Sequence, residues 1–151
     1  MKRDQIRFIL IYLATTLFLI ACGISGLFNG EGVYPREELE GIIWTLEAMG
    51  EQNNPQPTVA GRQVTLQFDF EEGRVHGNGG CNAYSADFEI DGSDVSIGLA
   101  MSTLMACFPE ELMNQETAFH QTLALAERFE IEGGKLTITT SDNRVMVFSQ
   151  K

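Results

Sequence analysis

From Val64 to Phe70 the chain alternates apolar and polar side chains without a break. A period of two places Val64, Leu66, Phe68 and Phe70 on one face of an extended strand, with Thr65, Gln67 and Asp69 on the other, the pattern of a half-buried antiparallel strand. A strand with one apolar face needs neighbours, and they follow in sequence. Glu71-Glu72-Gly73 turns the chain, and Arg74-Val75-His76-Gly77 returns it. After an interruption at Asn78-Gly79-Gly80-Cys81-Asn82, the extended pattern resumes from Ala83 to Ile90. Asp91-Gly92 is a hairpin signal before Val95 to Ile97. Upstream, Ile42, Ile43, Trp44 and Leu46 open a strand, and Asn53 to Gly61, with two prolines, is a loop. Downstream, Phe129 to Glu132, then Leu136, Ile138 and Thr140, then Val145, Val147 and Ser149 are strands separated by Gly133-Gly134 and Asp142-Asn143.

The one helical pattern spans about 109–127. Pro109 suits a first helical position, and Glu110 and Glu111 favour the positive end of the helix dipole. Leu112, Phe119, Leu123 and Ala126 fall on one stripe, with Glu116 among them. Leu99 to Phe108 is apolar and rich in small residues but follows no period; its methionines, Met101 and Met105, and Met113 beyond it, are expected to fill the core, an adaptable apolar surface being the alternative. The fold expected is α+β: seven or eight short antiparallel strands in an open, strongly curved sheet or incomplete β-barrel, with one amphipathic helix packed on it.

The N-terminus is of another kind. Lys2, Arg3 and Arg7 precede an apolar run, Phe8 to Ile20, broken only by Thr15 and Thr16. Thirteen residues are too few for a membrane-spanning helix, which needs about 20, but they match the core of a secretory signal. The run ends in Leu19-Ile20-Ala21-Cys22, which resembles the lipobox of bacterial lipoproteins. The resemblance implies cleavage before Cys22 and a diacylglycerol on its sulfur. Residues 1–21 are then a signal peptide, 22–40 a lipidated tether rich in glycine and glutamate, and 41–151 a folded domain. The expected location is extracytoplasmic, with the membrane held through the lipid on Cys22. An ordinary cleaved signal and an uncleaved anchor are the alternatives.

From Cys22 onward the chain carries 7 Lys and Arg against 20 Asp and Glu, a net charge of −13. That charge is repelled by phosphate backbones and by anionic lipid head groups, so nucleic acid is not an expected partner and no basic patch supplies the attachment. If lipid takes Cys22, Cys81 and Cys107 remain in an oxidising compartment. A disulfide between them stabilises by about 3 kcal/mol in the chain-entropy model; two buried free thiols are the other reading.

Val75-His76-Gly77-Asn78-Gly79-Gly80-Cys81-Asn82-Ala83-Tyr84, preceded by Trp44-Thr45-Leu46, is followed by Ser102-Thr103-Leu104-Met105-Ala106-Cys107 and Glu116-Thr117-Ala118-Phe119, with Leu136-Thr137-Ile138 near the end. This combination resembles the META domain family, which includes HslJ-like heat-inducible envelope proteins. The resemblance implies a β-rich domain with one packed helix, no known catalytic activity, and an association with the cell envelope and stress responses.

Several residues invite chemistry. Cys81 as a nucleophile needs a depressed pKa and a base such as His76 or His120, yet no Lys or Arg lies within six residues of it. Asn82 beside two glycines, and Thr103, are read as turn-formers. Glu116 on an apolar stripe needs hydrogen-bond donors. The backbone amides of the Gly79–Asn82 turn would supply them and lock helix to sheet; a general acid or base is the alternative. His76, His120, Cys81 and Cys107 lack metal-ligand spacing, and neither a metal nor another cofactor is expected. Two functional classes follow: a non-enzymatic envelope lipoprotein that holds a protein partner or an apolar ligand, or a Cys81-dependent enzyme or redox protein.

Overall fold

The computed structural model describes residues 36–150. The expected signal peptide and Cys22 lie outside them.

Ten strands and one α-helix form this region: β1 (Trp44–Glu51), β2 (Gln56–Pro57), β3 (Thr65–Asp69), β4 (Arg74–Asn78), β5 (Ala83–Asp91), β6 (Asp94–Ile97), β7 (Met101–Ser102), α1 (Glu110–Leu123), β8 (Ala126–Glu132), β9 (Lys135–Thr140) and β10 (Arg144–Gln150). The helix is shorter than the periodicity suggested, because Ala126 belongs to β8. The proline-bearing loop contains the two-residue β2, which pairs with β1.

The sheet is a closed barrel, not an open or incomplete one. Eight strands follow the order β1-β3-β4-β5-β6-β8-β9-β10, and β10 pairs back onto β1 from Trp44↔Gln150 to Glu51↔Arg144. Strands β2 and β7 lie off the ring, on β1 and β5. Closure removes both sheet edges, which would otherwise leave unpaired N–H and C=O groups. A register shift between Leu46 and Ala48 bends β1 as it meets β10. The thinnest seam joins β6 to β8, with Asp94 opposite Arg128 and Phe129 N–H donating to the Ser93 carbonyl at 2.9 Å.

Alternation fills the interior. Trp44 and Leu46, Leu66 and Phe68, Val75, Tyr84 and Ala86, Val95 and Ile97, Phe129, Leu136 and Ile138, Met146 and Phe148 are buried in one cluster. In β10 the inward residues are thus Met146 and Phe148, while Val147 and Ser149 are only partly buried. The contacts of α1 fall at one end of the barrel, on Val59 before β3, on the β4–β5 turn, and on Arg144 at the start of β10. Phe119 and Leu123 enter the core there. At the other end a 3-10 turn, Arg36–Glu38, leads to Leu39, which is buried, and Glu40 bridges to Phe68. Leu39 is therefore core, although it falls in the segment assigned to the tether. Arg36 stacks over the Phe70 ring at 4.8 Å.

Phe148 faces Leu46 on one side and Leu136 on the other, so it packs across both seams of the closing strand. Phe148→Ala is expected to cost about 3–5 kcal/mol, read as a lowered urea midpoint for unfolding.

Candidate functional site

The interruption between β4 and β5 is where the helix, the sheet and the loop after β7 meet. Asn78 ends β4 and its side chain accepts from the Gly80 N–H at 2.8 Å; Gly79 N–H donates to the Asn82 carbonyl at 2.8 Å. The turn so formed directs the N–H groups of Cys81 and Asn82 at α1. There Glu116 receives them: Oε1 accepts from Cys81 N at 3.2 Å and Asn82 N at 2.6 Å, and Oε2 accepts from Asn82 Nδ2 at 2.7 Å. Glu116 is buried, yet three donors satisfy its carboxylate, the condition under which a buried charge is tolerated. Gly79 is required by contact, since a Cβ there would lie 2.5 Å from Glu116 Oε1 and 3.0 Å from His120 Nε2.

Asn82 extends the lock to the next loop. Its Oδ1 accepts from the Thr103 hydroxyl at 2.8 Å and from Met105 N at 2.7 Å; its Nδ2 also donates to the Met105 carbonyl at 3.3 Å. All four hydrogen-bonding valences of the amide are thus used inside the protein. Thr103 N–H donates to the Ala83 carbonyl at 3.1 Å. Cys81 and Cys107 are joined by a disulfide, with Cα atoms 5.8 Å apart. Of the two readings open for this pair, the structure holds the bridge, and neither sulfur carries the proton or charge that a nucleophile needs.

Beside the lock, His120 lies edge-on to Tyr84 at 5.2 Å, and Tyr84 packs on Phe119 at 5.4 Å. Burial pushes the Tyr84 phenol above its ordinary range, and its hydroxyl donates to the Thr65 carbonyl at 2.9 Å. Burial lowers the His120 pKa below its usual value, partly opposed by the Glu116 charge, and Nε2 has no hydrogen-bond partner. Gln115 accepts from Val59 N at 2.5 Å and so ties the helix to the β2–β3 loop. His76 sits on β4, outside this set. Among the described residues no three His, Cys, Asp or Glu side chains are grouped to hold a metal ion.

The structure brings Gly79, Gly80, Cys81, Asn82, Thr103, Cys107 and Glu116 together; Glu116 meets the turn amides as expected, whereas Asn82 and Thr103, read as turn-formers, bond to each other across the loops, and Asn78 caps the turn instead. Sequence reasoning missed Met105, whose backbone supplies two of the Asn82 contacts; a backbone role leaves no signature in residue type. It also misplaced the methionines: Met101, Met105 and Met113 are exposed, not core. Beyond the lock, a shallow open cleft of about 680 Å³ follows the β6–β8 seam, where the exposed Asp94–Arg128 ion pair at 3.0 Å shares it with Glu89, Asp91 and Glu127.

The META domain family model matches residues 37–151, which spans the barrel, the helix and the lock. The chain belongs to the META domain family. No curated protein matches it. Among solved structures, it is similar to a protein from Burkholderia xenovorans at 19% identity, with a TM-score of 0.65 over 76% of this chain and 85% of the other. It also resembles a DUF4847 family protein from Bacteroides vulgatus ATCC 8482 at 12% identity, with a TM-score of 0.58 over 75% of this chain and 94% of that one. At these identities the likeness is one of fold.

Glu116→Gln puts an amide where a carboxylate receives three donors and leaves one buried N–H facing another. The expected cost is about 2–4 kcal/mol, measured by urea denaturation with the disulfide intact. The His120 shift predicts a pH dependence of definite sign. Its folded pKa is depressed, so the unfolded chain binds the proton more readily. Stability is full above the ordinary value of 6.5 and declines as pH falls from there toward the folded pKa. In thermal melts between pH 7 and pH 5, His120→Gln should flatten that decline; an unchanged slope would assign it to other groups.

Proposed function

We propose that this META domain protein is a lipid-anchored, non-enzymatic module of the cell envelope, a binding or accessory component in envelope maintenance or stress response. The observation that carries the proposal is the use of the chemically suggestive residues. Cys81 is disulfide-bonded, every polar atom of Asn82 has a partner, and both Glu116 oxygens accept hydrogen bonds. Such a cluster fixes geometry and leaves no free nucleophile. What it fixes is the segment around β7, where Leu99 and Met101 and, in the loop that follows, Leu104, Met105 and Phe108 are exposed. Large apolar side chains gathered on one exposed segment suit a binding surface. The Cys81-dependent alternative needs a thiolate and a histidine within reach of it, and His120 approaches Gly79 instead.

Attachment rests on the N-terminal pattern. A basic start, a short apolar run and Leu19-Ile20-Ala21-Cys22 lie ahead of the family domain, and lipid chains supply the affinity that a net charge of −13 denies to the domain itself.

In the chain extracted from its own membranes, intact mass should give a mature protein that begins at Cys22 and carries a diacylglycerol, and Cys22→Ser should abolish both the lipid and the cleavage before residue 22. An unmodified Cys22, or cleavage at another site, would sink the lipoprotein reading.

A further inference from the structure

The longest uncharged run after Cys22 extends from Val95 to Pro109, between Asp94 and Glu110, in a chain where 21% of residues are charged. Val95 and Ile97 at its start face the core, whereas beyond them the large apolar side chains are displayed: Leu104 is 97% exposed, Phe108 89% and Leu99 85%. The display is built in. On either side of Leu104 the chain is held, at Thr103 by its hydroxyl to Asn82 and its N–H to the Ala83 carbonyl, and at Met105 by its N–H to Asn82. Phe108 follows the disulfide-bonded Cys107. A loop pinned in this way keeps Leu104 and Phe108 outward whatever the solvent.

We propose that this loop inserts into the acyl region of a zwitterionic phospholipid bilayer, as a second contact besides the lipid on Cys22; the inference rests on the lipoprotein reading above. Nearly bare, separately projecting side chains suit a fluid apolar phase, which needs no matching groove. No charged side chain between residues 95 and 109 has to be desolvated on entry. Glu110 and Glu111 directly behind the loop, and the acidic domain as a whole, disfavour anionic lipid.

Chain length allows both contacts at once. The described chain starts at Arg36, beside Phe70 at one end of the barrel, while the loop lies at the end covered by α1. Thirteen residues separate Cys22 from Arg36 and reach at most about 45 Å when extended. The seven-residue β10 is about 23 Å long. A tether of that reach lets the lipid on Cys22 and the loop meet the same bilayer.

The test uses the full chain, purified with its lipid and reconstituted in phosphatidylcholine vesicles with or without bromine on the acyl chains. Leu104→Trp alters an exposed position, and Trp44, fully buried, gives a constant background in both chains. The introduced indole should emit at shorter wavelength than in detergent-free solution and be roughly twofold dimmer in brominated vesicles, as expected for a side chain lying below the head groups. Emission that is water-like and equally bright in both vesicles overturns insertion; the loop then faces away from the membrane, free for a protein partner. Intact mass of the same sample separates the two proposals. If Cys22 carries no lipid, the lipoprotein reading fails, and the loop is judged by co-sedimentation of the unlipidated chain with phosphatidylcholine vesicles. Binding lost on Leu104→Ser with Phe108→Ser sustains insertion, and no binding, or binding unchanged by that double substitution, ends it.

Discussion

The carboxylate of Glu116 and the two backbone N–H groups it receives are the joint on which the rest of the domain is hung. The helix has 14 residues and no side-chain N-cap hydrogen bond. An isolated helix of that length is marginal in water, so its stability comes from docking. Phe119 and Leu123 supply the apolar part of that docking, which has no preferred register of its own. Three directional bonds at Cys81 and Asn82 fix where along the barrel end the helix sits. The dependence is mutual. The amides of Cys81 and Asn82 are buried in a turn that leaves the ladder, and without Glu116 they would be orphaned donors.

From that joint, order passes outward through Asn82. Its amide takes the Glu116 carboxylate on one side and the Thr103 hydroxyl and the Met105 backbone on the other, so helix, turn and loop share one side chain. The disulfide ties the same loop by a different route. A cross-link acts largely by restricting the unfolded chain, whereas the Asn82 bonds act only in the folded one. The two restraints are thus complementary, and together they hold a segment whose own side chains contribute little to the core.

Much of this was legible from residue order. Alternation identified the strands because a face buried on one side imposes a period of two. Glu116 stood out because a charge on an apolar stripe breaks the pattern and demands an explanation; the donors it needed were the N–H groups of a turn already marked by consecutive glycines. Closure of the barrel was not legible. Alternation along each strand is the same in an open sheet and in a closed one, and the closing pair joins Trp44 to Gln150 across nearly the whole domain. The inward face of β10 shows how local the failure is: the β1 register shift lies opposite it, and both Val145 and Met146 are buried. The methionines failed for another reason. Apolar character predicts affinity for a core but not access to one, and Met101 and Met105 follow a backbone that the Asn82 bonds and the β5–β7 pairing hold at the surface.

The motif that most invites a catalytic interpretation is therefore the one with the least freedom to react. In the lock the Glu116 carboxylate and the Asn82 amide are hydrogen-bonded within the protein, and the two sulfurs are joined to each other. Rigid display has a different use. An apolar side chain that is already fixed outward loses little further freedom when it is buried in a partner phase, so more of its transfer free energy survives as binding. The same economy explains why a small acidic domain can leave Leu104 and Phe108 in water without collapse onto its own core. Their neighbours Thr103, Met105 and Cys107 are held in place, and the interior they would enter is filled by Tyr84, Phe119 and the inward residues of eight strands.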